Sequence, residues 1–248
     1  MALIAEDLSF SYRFRGQRVI EDLTWQVPAA TRTILLGPNG AGKSTLLRLL
    51  AGIHRPRKGR VFVADEQGRR TDGRGLRRRV AWMPQDVTAI RGLTVLEQIT
   101  YAGWLGGLRE SEARRRALAA VEQVALAEKS AARAETLSGG QLRRLGLAEA
   151  LVLQADFLLL DEPTAGLDPV QRANFRRVLL DLPSCGLVVS THQIDDIADV
   201  FDRVAMLVRG KVVFDGSEAE FHALSTDGSN GRTSAEQVFA SLLPGLDH

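Results

Sequence analysis

One stretch limits the possible folds more than any other: "GPNGAGKST", Gly37 to Thr45, entered from the apolar run "RTILL" and left through "LLRLLAG". A strand running into a glycine loop and out into a helix is the setting in which G-x-x-x-x-G-K-[ST] cradles phosphate. At average residue frequencies a chance match in a chain this long arises about 1% of the time, so the pattern carries weight. Gly37, Gly40 and Gly42 let the backbone curl so that the N–H groups of the loop, with Pro38, Asn39 and Ala41 between the glycines, form a nest for an anion. The helix that follows adds its positive end. Lys43 is suited to neutralise β- and γ-phosphates, and Ser44, next to Thr45, to hold Mg²⁺ through its hydroxyl. A nucleoside triphosphate is the ligand these residues predict.

The rest of the chain fits an α/β fold around that loop. Residues 2–36 alternate apolar and polar in short runs, which predicts strands, and so do "RVFVA" (60–64) and "RVAWM" (79–83). The charge-dense "DEQGRRTDGRGLRRR" between them reads as a solvated loop. From about Gly92 to Ala155 the pattern is helical, with Ala117, Val121 and Val124 on one face. "FLLLDEP" and "GLVVS" are continuous apolar runs, the mark of parallel strands covered on both faces. "RVAMLVRGKVVFDG" predicts a hairpin turning at Arg209-Gly210, and "STDGSNGRTS" a polar linker before a short helix, "AEQVFASLL".

Further residues group with the loop by chemistry. Asp161 closes the apolar run "FLLLD", at the carboxyl end where open α/β sheets place their ligands, and is the expected Mg²⁺ carboxylate. Glu162 follows it as a base for an attacking water. Adjacent acids at a strand end are, alone, equally explained as a solvated terminus; the glycine loop in the same chain decides for function. His192, in "VVSTHQ", follows the apolar run and is expected at the same sheet edge, within reach of the γ-phosphate. Gln85, in "WMPQD", offers an amide to Mg²⁺ or the water from a loop. Tyr12, in "FSYRF", presents a ring on which a purine can stack, in competition with Phe14. His54, His222 and His248 lack metal-ligand spacing and read as structural or solvated.

Composition excludes several classes. With 45% apolar and 25% charged residues the chain is neither disordered nor fibrous. A net charge of +2 is no footprint of nucleic acid. A lone cysteine, Cys185, allows no internal disulfide and predicts a reducing compartment. No apolar window reaches the roughly 18 residues of a membrane span, and the opening residues do not read as a secretory signal.

"LSGGQ", Leu137 to Gln141, resembles a second anion cradle: Ser138, Gly139 and Gly140 open the helix "GQLRRLGLAEALVL". Yet no lysine adjoins it, so it is a poor free-standing site. With these residues in view, the chain from about residue 2 to 224 resembles the ATP-binding subunits of ABC transporters. It matches that family's A-loop aromatic (Tyr12), P-loop (Gly37 to Thr45), Q-loop (Gln85), signature ("LSGGQ"), Walker B strand with its glutamate ("LLLDEP"), D-loop ("GLD", Gly166 to Asp168) and switch histidine (His192), in family order.

The resemblance implies a P-loop NTPase with a RecA-like core, an antiparallel β-subdomain and an α-helical subdomain at about 88–155. Residues 1–224 would form the ABC ATPase domain, and 225–248 the linker and tail helix. It implies ATP and Mg²⁺, with the metal held by Ser44, Gln85 and Asp161, and catalysis by Glu162, His192 and Lys43. It further implies pairing with a second copy, or a homologous subunit, whose Ser138, Gly139, Gly140, Gln141 and Asp168 contact the nucleotide in trans. A separate transmembrane permease would complete the transporter, with this chain in the cytoplasm on the inner face of the membrane. "LTVLEQITYAGWLGG" (93–107), with Tyr101 and Trp104, would line the permease groove or fill the helical lobe. The wording around these motifs leans toward bacterial exporters; the alternative is a soluble ABC ATPase of protein-complex or iron–sulfur assembly.

Overall fold

The computed structural model describes residues 1–13, 16–182, 184–192 and 200–224, the His222 side chain excepted. Two sheets organise it. The larger has six strands in the order β10-β9-β3-β8-β7-β6: β3 (Arg32–Leu36), β6 (Val80–Met83), β7 (Phe157–Asp161), β8 (Gly186–Thr191) and β9 (Arg203–Val208) are parallel, and β10 (Lys211–Ser217) is antiparallel at the edge. The smaller is antiparallel, β2-β1-β4-β5, from β1 (Ala2–Phe10), β2 (Ile20–Pro28), β4 (Lys58–Ala64) and the two-residue β5 (Arg70–Thr71). This is the P-loop NTPase α/β architecture expected from the sequence.

The continuous apolar strands are explained by two cores, one on each face of the larger sheet. Along β7, Phe157 and Leu159 point into one core, and Leu158 and Leu160 into the other. Strand side chains alternate faces, so only a run apolar at every position satisfies both. The first core fills the space between the two sheets and α1 (Lys43–Leu50), through Leu3, Trp25, Leu46, Leu50 and Val188 among others. Burying each such side chain stabilises the fold by about 1.5–3 kcal/mol. The second core joins the opposite face to α3 (Val95–Leu105), α4 (Glu110–Gln123), α5 (Gly139–Leu151) and α6 (Pro169–Leu180).

The helical stretch has clear local causes. Thr94 and Glu97 form a reciprocal capping box that starts α3. On α4, Ala113, Ala117, Ala120 and Val121 are buried on one side while the arginines and glutamates face out. The β9–β10 hairpin turns at Arg209 and Gly210, both at positive φ (47° and 76°), as the two-residue connection demands. The charge-dense stretch departs from expectation. It holds β5 and a helix, α2 (Gly73–Arg79), because Leu76 is its one apolar anchor in the first core, while Arg74, Arg77 and Arg78 stay exposed and Arg79 pairs with Asp156 (2.6 Å). The linker and tail helix expected at 225–248 lie outside the described residues.

Candidate functional site

The loop between β3 and α1 is shaped by close approaches that exclude side chains. A Cβ on Gly37 would lie 2.3 Å from the Leu207 carbonyl oxygen of β9. Gly42, the N-cap of α1, sits at φ 104°, where a side chain would be strained, and supplies no side-chain cap. The first N–H groups of α1 therefore face the loop without a side-chain acceptor at the cap. Lys43 is 5% exposed; its Nζ donates to the carbonyls of Gly37 (2.7 Å) and Pro38 (3.3 Å) and stands 3.7 Å from Glu162 Oε1. Burial pushes its ammonium below the ordinary lysine range, and the carboxylates of Glu162 and Asp161 pull the other way.

Behind the loop stand the two acids. Asp161 is fully buried, and its Oδ1 accepts from Ser44 Oγ (2.9 Å) and from Ser190 Oγ (2.8 Å). Its Oδ2 is buried with no hydrogen-bond partner among the described residues. A hard cation takes oxygen ligands, and that orphaned carboxylate oxygen beside the Ser44 hydroxyl suits Mg²⁺. Glu162 has a φ of 44°, uncommon for a glutamate. Its backbone N–H is held by Ser190, at the carbonyl (3.1 Å) and the hydroxyl (3.0 Å). Its Oε2 is 3.5 Å from His192 Nδ1. Ser190 thus fixes both acids. Sequence reading passed it over because it looks like one more residue of the β8 run; only the β7–β8 register, which pairs Asp161 with Ser190, brings it there.

These groups surround an open cavity of about 510 Å³ lined by Tyr12, Val19, residues 38–45, Gln85, Glu162 and His192. Asp161 does not line it but is bonded to Ser44, which does. Tyr12 shares a 2.9 Å hydrogen bond with Thr45 Oγ1, and its ring stands almost perpendicular to Phe10 and His54. At 56% exposure it is a ring fixed at its hydroxyl and open to stacking. His54 lies parallel to Phe10, which fits the structural reading given to it. Phe14, the competitor for the stacking role, lies outside the described residues.

The signature residues are not part of this cavity. Ser138 is the N-cap of α5: Gln141 N–H donates to its hydroxyl (3.4 Å), and its own N–H donates to Gln141 Oε1 (2.9 Å). The motif is thus also a capping box, S-x-x-Q, a signal present in the sequence but absent from the reading above. A Cβ on Gly140 would come within 2.9 Å of Gln171 on α6. Asp168 caps α6 by accepting from Gln171 N–H (2.8 Å). Tyr101 and Trp104 stack on the surface of α3, 5.9 Å between centroids, and do not fill the helical lobe.

The family model described as ABC transporter matches residues 20–165. The chain belongs to the ABC transporter ATP-binding family. It is 38% identical over 222 residues to the taurine import ATP-binding protein TauB of Pseudomonas aeruginosa, covering 88% of this chain and 80% of that protein. The cobalt import ATP-binding protein CbiO of Rhodobacter capsulatus matches at 38% over 222 residues, covering 88% and 79%. The daunorubicin/doxorubicin resistance protein DrrA of Streptomyces peucetius matches at 36% over 221 residues, covering 88% and 66%. Among solved structures, an ATP-binding subunit of an ABC transporter superposes with a TM-score of 0.79 at 27% identity, covering 98% of this chain and 99% of that one. A dimeric ABC cassette, MJ0796, has a TM-score of 0.74 at 24% identity, covering 87% and 98%, which supports the fold.

As an ABC ATP-binding subunit, the chain is an ATPase that works within a transporter. The expectation of export finds no support: most of the relatives carry import in their names. An assembly ATPase is not favoured either. The geometry suits phosphoryl transfer to water. Lys43 and the α1 N-terminus offer positive charge, and Glu162, held at its N–H by Ser190 and 3.5 Å from His192, lines the cavity.

Proposed function

We propose that two copies, or this chain and a homologous subunit, close head to tail around ATP and power a separate membrane-spanning permease. In each site Tyr12 stacks the adenine. Gly37 to Thr45 hold the phosphates, with Lys43 on the β- and γ-phosphates. Ser44, Asp161 and Gln85 hold Mg²⁺, which when bound neutralises charge on the phosphate oxygens. Glu162 takes the proton of the attacking water and His192 keeps Glu162 and the γ-phosphate aligned. From the opposing copy, Ser138, Gly139, Gly140, Gln141 and Asp168 complete the site. Hydrolysis removes the γ-phosphate that bridges the copies, and they part.

A single observation carries this reading. The residues expected to bind or cleave ATP in cis line one cavity, save Gly37 and Asp161, which are bonded to the lining residues Lys43 and Ser44, while the signature turn lies outside it with its backbone already capped. A half-site with no lysine beside it, whose nearby Arg143 and Arg144 donate to the carbonyls of Ala165 and Ala125, is explained by a partner. The helical lobe of about 88–155 within a 1–224 ATPase domain carries that half-site outward, and the Tyr101–Trp104 stack offers the permease an apolar hold near Gln85. No helix among the described residues is long and apolar enough to cross a membrane, which fits a peripheral subunit on the cytoplasmic face.

Glu162→Gln tests the catalytic part. It should bind ATP normally and lose about 10²- to 10⁴-fold in kcat, the range for removing a general base. Normal steady-state hydrolysis would refute Glu162 as that base. Purification of the tagged chain from detergent-solubilised membranes tests the transport part: a multi-span partner is expected, and soluble partners alone would overturn it.

A further inference from the structure

The segment that begins at Gln85 leaves the nucleotide cavity and is fastened to the signature helix α5 at two separate points. At the first, Val87 lies against Gly146 of α5; a Cβ there would sit 2.4 Å from one Val87 methyl and 3.0 Å from the other. At the second, Gln98 of α3, only 1% exposed, acts as a hub. Its Oε1 accepts from Ile90 N–H (2.8 Å), while its Nε2 donates to the Thr88 carbonyl (3.0 Å) and to Glu149 Oε1 of α5 (2.6 Å). Among the described residues no cation forms an ion pair with Glu149, and burial pushes its carboxyl above the ordinary range. A buried amide joining three partners leaves each of them unsatisfied if it is lost, which makes the junction stiff.

The geography gives this junction a consequence. α5 is 13 residues long, about 20 Å, and a packed helix moves as a rod. The signature turn is at its start; Gly146 and Glu149 lie in its second half. A shift of the Gln85 segment therefore acts on α5 at two fixed points and is delivered at Ser138. Neither Gln98 nor Glu149 lines the nucleotide cavity.

We infer that Gln98 and Glu149 form a positioning clasp that sets the Gln85 segment and the signature turn in register, so that nucleotide engaged at Gln85 aligns Ser138–Gln141 for the opposing copy. The inference rests on the reading that this turn completes a partner's site. It adds two residues that make no contact with ATP to those that determine turnover.

The test uses the full chain with Gln98→Leu, Glu149→Leu and the conservative Glu149→Gln. Three quantities are read: affinity for a fluorescent ATP analogue, kcat, and ATP-dependent dimerisation in a Glu162→Gln background. The two leucine variants should hold the analogue within about threefold of wild type, because the P-loop and Tyr12 are untouched. They should lose about tenfold in kcat and need about tenfold more protein to dimerise, the scale of one or two buried hydrogen bonds. Glu149→Gln, whose carbonyl still accepts from Gln98, should stay within about twofold of wild type. If a leucine variant fails to fold, Gln98→Asn, which keeps the amide but withdraws it by a methylene, must show the same split. Wild-type kcat in the leucine variants, or kcat lost only in proportion to affinity, overturns the clasp. Ser138→Arg separates the two readings: a dimer that survives it sinks the shared site and the clasp with it, whereas loss of the dimer beside normal leucine variants sinks the clasp alone.

Discussion

Both glycine turns of this molecule open a helix, and they treat the helix end in opposite ways. At α1 the cap is Gly42, which offers no acceptor, and the buried Lys43 sits in the next position. At α5 the cap is Ser138, whose hydroxyl and Gln141 partner satisfy two backbone donors. The first turn gives the Ala41 N–H to the Pro38 carbonyl but offers no side-chain acceptor to the start of its helix, and it brings a lysine to that end. The second has begun to satisfy itself and brings no lysine; Arg143 and Arg144 of its helix donate instead to the carbonyls of Ala165 and Ala125. Two turns of similar composition thus differ in whether they are sites or parts of sites. The deciding features are a lysine and a serine.

The comparison breaks most directly at Lys43. Lys43→Ala converts the first turn into something like the second, glycines and a helix end without a lysine beside the cap. Loss of a buried charge-assisted contact should weaken ATP-analogue binding by about 100-fold in an equilibrium titration. Unchanged affinity would mean that backbone N–H groups suffice, and the signature turn would then need no partner.

What stands behind each turn also differs. Behind α1 is the Ser190 network that holds Asp161 and Glu162; behind α5 is Gln171, packed on Gly140. Ser190→Ala should lower kcat by about tenfold and leave affinity for the ATP analogue within about threefold, with a stability loss of about 1–3 kcal/mol by denaturant titration. A kcat unaffected by the change would show that the backbone geometry at Glu162 needs no serine.

The smallest effect sharpens the account of α5. Burial raises the folded-state pKa of Glu149 above its unfolded value. Its contribution to stability is therefore full below the unfolded pKa and is lost as pH rises through the folded one. Glu149→Gln should have nearly the wild-type melting temperature under acidic conditions and exceed it increasingly as pH climbs past the ordinary carboxylate range. A pH-independent difference would contradict the burial.

Much of this was legible in the sequence where the information is local. The P-loop, the two-faced strands and the 209–210 hairpin each depend on residues within one turn or one strand. β5 and α2 were not legible, because a two-residue strand and a helix with Leu76 as its one apolar anchor show no apolar period. Ser190 and the Gln98–Glu149 contact were hidden for another reason. Their partners are 29 and 51 positions away, and only strand register or helix packing brings them together. The signature was visible yet half understood: its glycines suggested a phosphate, and the S-x-x-Q box that restrains the turn went unread.

The central claim is that one ATP is enclosed by the P-loop of one copy and the signature turn of another. The mass of the Glu162→Gln chain with MgATP under native conditions tests it most directly, with and without Ser138→Arg. The account predicts a complex of two chains and two nucleotides for Glu162→Gln, and a single chain carrying one nucleotide once Ser138→Arg is added. A nucleotide-loaded monomer in the first case, or a dimer that persists in the second, would contradict it.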